Sequence, residues 1–128
     1  MRNSGYLGAA AALLIIAGAA ISPLLAAPPA ANGETLFKQR CQACHSVVPA
    51  KLSGVGPNLR GVVGRKAAAS TSFNYSTALK QSKITWTQAN LDRYLAAPTK
   101  MVPGTRMVAA ITDAGQRAAI IKYLSQTK

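Results

Sequence analysis

The sequence predicts an all-α domain with unusually long loops. Three observations carry this. Polar capping residues stand in front of runs whose apolar positions recur at i, i+3 and i+4. No segment alternates apolar and polar residues for long enough to make a convincing strand. Two stretches dense in glycine and proline separate the helical runs.

Asn32 can cap a helix beginning at Gly33, with Glu34 near the positive end of its dipole. That helix carries Leu36, Phe37 and Cys41. Residues 47–71 hold Pro49, Gly54, Gly56, Pro57, Gly61 and Gly64 and keep no period, which predicts a loop. A short helix is expected over about residues 75–81. Thr87 is a good N-cap for a third helix, whose buried face is marked by Leu91, Tyr94 and Leu95 and which Pro98 stops. Residues 99–111 read as a second loop, and Thr112 as the cap of a final helix bearing Ile120, Ile121, Tyr123 and Leu124. Loops this long in a small domain need a surface to pack on.

Of the 128 residues, those from 5 to 31 include no charged side chain and are mostly Ala, Leu, Ile and Gly. Arg2, the apolar run 7–21 and the break at Ser22-Pro23 together read as an export signal. Pro28 and Pro29 spoil most small-residue cleavage sites, so Ala31 is the best end. The apolar stretch 5–27 is also long enough to hold the chain in a bilayer. Residues 1–31 are therefore a signal peptide or an N-terminal membrane anchor, and 32–128 the folded domain. With Arg2 inside, both readings put the domain outside the cytoplasm. It is then periplasmic, either free or anchored to the inner membrane.

Lys and Arg number 15 against 3 acids, a formal charge of +12, and only Arg2 precedes the apolar segment. Such an excess suits a solvated basic surface, nucleic acid or an acidic protein patch. The few aromatics form no recognisable RNA-binding motif, so no nucleic-acid partner is expected.

The chemistry concentrates in Cys41-Gln42-Ala43-Cys44-His45. Two thiols three positions apart can add to the two vinyl groups of one haem, and the adjacent His can then ligate the iron; the spacing is that of c-type haem attachment. The alternatives are weaker. A thioredoxin-like motif needs a βαβ setting. Structural zinc needs four ligands, and the chain has 2 Cys and 1 His. A disulfide across two residues would stabilise little. His45 being the only histidine, a second axial ligand is Met101, Met107, a lysine, or nothing.

Beyond this motif come Gly56-Pro57-Asn58-Leu59-Arg60-Gly61, Gly64-Arg65-Lys66, Phe73-Asn74-Tyr75, Ile84-Thr85-Trp86, Tyr94-Leu95 and Pro103-Gly104-Thr105-Arg106-Met107. In this order and spacing the chain resembles the class I c-type cytochromes, of the mitochondrial and short bacterial electron-carrier type. The likeness covers nearly all of residues 33–124. It implies the small cytochrome c fold, with N- and C-terminal helices crossing and long loops wrapped around one covalent haem c. It implies Met107 as the sixth ligand rather than Met101, with His/Met ligation raising the potential. By the same resemblance Pro57 accepts the His45 ring N–H, and Tyr75, Trp86 and Arg65 hold the haem propionates. Tyr94 approaches the Met107 sulfur, Thr105 joins the haem site, and Gly33 and Phe37 meet Ile120 and Tyr123 where the terminal helices cross. The chain departs from the family pattern at Leu79 and Ala109, and one residue is missing between Met107 and the last helix.

The implied function is one-electron transfer by a monomer that is not an enzyme. Arg40, Lys100 and Arg106 would surround the haem edge and dock on acidic faces of redox proteins. The implied donor is a quinol-oxidising cytochrome bc complex, and the acceptor a terminal oxidase or a photosynthetic reaction centre. The competing class is an open-site haem protein, peroxidase-like or gas-binding, which would need Met107 displaced.

Overall fold

Among the described residues there are five helices: α1 Gly33–Arg40, α2 Thr77–Gln81, α3 Gln88–Ala96, α4 Pro98–Met101 and α5 Ala114–Gln126. The computed structural model describes residues 31–52 and 54–128; the expected signal or anchor segment, residue 31 apart, lies outside them. No helix among the described residues is long and apolar enough to cross a membrane.

The helix starts follow from capping chemistry. The Asn32 side chain accepts from the backbone N–H groups of Glu34 and Thr35 at 3.0 and 3.2 Å. Thr87 accepts from Asn90 N–H at 3.1 Å. Other boundaries differ from the sequence reading. Cys41 is the C-cap of α1 rather than part of it. The second helix starts at Thr77 because the Ser76 hydroxyl caps it, leaving Tyr75 ahead of the helix and buried. The last helix is capped by Asp113, not Thr112: the Asp113 carboxylate accepts from Gln116 N–H at 2.7 Å. Pro98 ends α3 as expected but also opens α4, inside a stretch read as loop. At a first helical position the missing N–H costs nothing and the fixed φ suits the helix.

The terminal helices cross at Gly33. A Cβ there would lie 2.1 Å from the Ala119 carbonyl oxygen and 2.9 Å from Tyr123 Cβ, so only glycine permits this approach. One turn on, the Phe37 and Tyr123 rings pack with centroids 5.6 Å apart. Leu91, Leu95, Ile120, Ile121 and Leu124 continue the core between α3 and α5. No strand forms among the described residues. One antiparallel bridge joins Lys66 to Thr85. Around it Trp86 N–H donates to Arg65 O at 2.8 Å and Gly64 N–H to Trp86 O at 2.8 Å, which fixes Trp86 beside the first long loop.

Candidate functional site

The helices and loops enclose one large apolar cavity of about 530 Å³. It gathers nearly every residue singled out in the sequence. Cys41, Cys44, His45, Pro57, Arg65, Tyr75, Trp86, Tyr94, Thr105 and Met107 all line it, with Arg40 and Arg106. Lys100 does not line the cavity; it stands exposed on α4. Met101 packs against the core instead of the cavity.

The end of α1 sets the first wall. Cys41 closes the helix, and a tight turn follows in which Cys44 and His45 N–H both donate to Cys41 O, at 3.0 and 2.9 Å. This turn brings both thiols and the imidazole to one side. Burial pushes the Cys41 thiol up to about 11, against the smaller opposing effect of Arg40. His45 Nδ1 lies 2.8 Å from the carbonyl oxygen of Pro57. A carbonyl only accepts, so Nδ1 carries the proton and Nε2 keeps its lone pair. Burial lowers the His45 pKa, with the Pro57 bond acting the other way, which favours the neutral imidazole that metals bind. Gly56 makes the arrangement possible, since a Cβ there would sit 2.5 Å from His45 Cε1.

The opposite wall comes from α3 and the segment after α4. Tyr94 Oη and Thr105 Oγ1 share a buried hydrogen bond of 2.6 Å. The sequence reading set Tyr94 against the Met107 sulfur and did not foresee this partner. Trp86 packs on Tyr94 with ring centroids 4.9 Å apart. Arg65 spends its guanidinium on main-chain carbonyls, donating from Nη1 to Arg60 O at 3.1 Å and from Nη2 to Asn58 O at 3.0 Å. Arg106 donates to Asn74 O and lies over the Phe73 ring, 5.6 Å from its centroid. Leu59, Val62 and Ile111 complete the apolar lining, and no periodic signal marks them because they sit in loops.

The rim is cationic. All 3 acids of the chain are engaged elsewhere: Glu34 pairs with Lys38, Asp92 with Arg117, and Asp113 caps α5. Arg40, Arg65, Lys66 and Arg106 line the cavity and no acid does. Val108, 77% exposed, and Ala109 leave its edge open to solvent.

These residues fit a haem. The cavity is large and mostly apolar, two cysteines and a histidine meet at one wall, and a methionine reaches in from the segment after α4. Tyr75 and Trp86 are buried there, yet neither the phenol nor the indole N–H has a hydrogen-bond partner among the described residues. Buried polar groups are rarely left so, and acceptors on a bound group would satisfy both.

Comparison with known proteins agrees. The family model described as Cytochrome c matches residues 30–128. Cytochrome c type-1 of Ascaris suum is 46% identical over 96 residues, covering 74% of this chain and 85% of that protein. Cytochrome c2 of Rhodomicrobium vannielii is 46% identical over 95 residues, 73% of this chain and 75% of that protein. Among solved structures, cytochrome cH from Methylobacterium extorquens superposes with a TM-score of 0.67 at 47% identity, covering 74% of this chain and 95% of that one. Two cysteines in the turn that ends α1, a carbonyl-tethered histidine and a shared apolar cavity thus accompany a family match over residues 30–128: the chain belongs to the cytochrome c family, as a class I electron-transfer cytochrome whose cofactor is haem c, fitted by Cys41 and Cys44.

Proposed function

We propose that this protein carries single electrons between membrane redox complexes on a haem ligated by His45 and Met107. The observation that carries the reading is that His45, Met107 and both cysteines line one cavity whereas Met101 does not. Bound haem supplies an iron that changes oxidation state by one electron. The chain's residues do the rest. Pro57 holds the imidazole so that Nε2 faces the cavity. Met107 supplies a soft thioether that favours the reduced metal. Tyr75 and Trp86 would donate to the propionates of a bound haem, and Arg65 would add positive charge from behind its carbonyl partners. The apolar walls exclude water, and Thr105 fixes Tyr94 beside them.

Docking falls to the open edge. Arg40 lies on the cavity rim, Lys100 stands exposed on α4, and Arg106 contributes charge while tied to Asn74. They suit the acidic face of a quinol-oxidising cytochrome bc complex as donor, and of a terminal oxidase or reaction centre as acceptor. The domain, residues 32–128, works as a monomer in the periplasm, delivered there by residues 1–31 as a cleaved signal or a retained anchor. Intact-mass measurement of native protein distinguishes the two: a mass without those residues means cleavage.

The decisive test of ligation is the absorption spectrum of the oxidised, haem-loaded protein. A weak long-wavelength band from sulfur to iron is expected. A high-spin spectrum would overturn the reading in favour of an open-site haem protein.

A further inference from the structure

Met107 sits on an arch with both feet on neighbouring residues of α3. The first foot is Thr105, bonded to Tyr94 at 2.6 Å. The second is Ile111, whose N–H donates to Leu95 O at 2.8 Å. Residues 106–110 between them make no backbone hydrogen bond among the described residues. Apart from the packing of Met107 itself against the core, its position depends on the feet, with the Arg106 side chain as the one further hydrogen-bonded tie among the described residues, to Asn74 O.

The second foot is gripped by a side chain from another helix. Arg117 of α5 is 11% exposed and uses its guanidinium in three directions. Nε donates to Asp92 Oδ1 at 2.7 Å, and Nη1 donates to Ile111 O at 3.0 Å and to Thr112 O at 2.8 Å. Asp92 lies on α3, one turn before Leu95. One planar fork thus joins α5, α3 and the end of the arch. Lysine could not reproduce it, because an ammonium is a point charge without the fixed fork.

We propose that Arg117, aligned by Asp92, is a positioning residue for Met107: it fixes the second foot of the arch and so resists displacement of the thioether from the iron. This rests on Met107 being the ligand. Without Arg117 the foot keeps the Ile111–Leu95 bond and the buried Ile111 side chain but loses both carbonyl bonds, and the arch can lift at a lower cost. The first foot and the cavity walls are untouched.

The test uses the full-length, haem-loaded, oxidised protein at pH 7 with added imidazole as the competing ligand. Loss of the sulfur–iron band gives an apparent dissociation constant, and thermal unfolding is measured on the same samples. Arg117→Lys is expected to bind imidazole about tenfold more tightly than the parent, equivalent to about 1.4 kcal/mol less resistance from the arch. Asp92→Asn is expected to shift the same way by less, and it keeps the test decisive if Arg117→Lys does not fold. Lys38→Ala, which breaks the other ion pair, is expected to leave imidazole affinity at the parent value. Unchanged imidazole affinity in a folded Arg117 or Asp92 variant with a lowered unfolding temperature means a structural role only and overturns the proposal. A parent without the band overturns the ligation reading and this inference together.

Discussion

Tyr94 and Thr105 bond hydroxyl to hydroxyl at 2.6 Å in the interior, and this contact ties α3 to the segment that carries Met107. Burial raises the Tyr94 pKa, and the Thr105 bond opposes that rise in part. Tyr94→Phe leaves the Thr105 hydroxyl without its partner, and an unfolding free energy lower by about 1–3 kcal/mol is expected. The pH dependence has a definite sign. Because the folded pKa lies above the unfolded one, this tyrosine's contribution is intact below about pH 10 and is lost as pH rises through the folded value. The gap between parent and Tyr94→Phe should therefore narrow above that pH. Guanidinium titrations at pH 7 and at increasing alkaline pH check both statements; a gap that widens would contradict the second.

Ligand identity separates the two methionines of the domain. Met107→Ala should turn the oxidised iron toward high spin and lower the reduction potential, since a soft thioether favours the reduced state. Met101→Ala should do neither, because Met101 packs against the core away from the cavity. Absorption spectra and redox titrations of both variants decide. Loss of the sulfur–iron band in Met101→Ala alone would reverse the assignment.

The cationic rim predicts salt-sensitive docking. Oxidation of the reduced protein by an acidic partner should slow steeply as ionic strength rises, since exposed charges are screened over about 8 Å at physiological salt. Arg40→Glu or Lys100→Glu should slow association more than Lys128→Glu, which reverses the charge at the C-terminal residue. Stopped-flow rates across a salt series test this. A rate independent of salt with every natural partner would remove the steering role.

The helix crossing predicts a large cost for a single methyl. Gly33→Ala places a Cβ within 2.1 Å of a main-chain oxygen, which can give way only by moving α5. Destabilisation of about 1–3 kcal/mol is expected, in the range of core overpacking. Gly64→Ala meets no atom within 4 Å, and its cost comes from a φ of +89° instead. Denaturation midpoints for the two separate steric from conformational loss. If Gly33→Ala matches the parent in stability, the close crossing is not as described.

Most of this site could be read from the sequence because its parts sit in short, spaced motifs. Cys41, Cys44 and His45 declare themselves by spacing alone, and Asn32 and Thr87 by their place before apolar periods. What escaped reading depended on competition between neighbours. Thr112 and Asp113 both suit a helix cap, and the carboxylate takes the role while the Thr112 carbonyl receives Arg117. Pro98 signals both an end and a beginning, so α4 was hidden within a loop. The Tyr94–Thr105 bond joins positions 11 apart across a turn, and no local pattern encodes it. Arg65 lines the cavity, and its bonds to carbonyls five and seven positions earlier follow from the fold of that loop and from no local pattern.

The approach of Gly33 to Ala119 also makes the haem-attachment turn depend on a distant helix. Helix α1 has 8 residues and one buried side chain, Phe37, too little to persist alone. Its lasting partner is α5, so the two halves of the crossing come from opposite ends of the described residues. The haem-bearing cysteines follow α1 directly. Ile120 and Leu124 of α5 line the same cavity as these cysteines. A change that loosens the crossing is therefore felt at the cavity wall as well as between the helices.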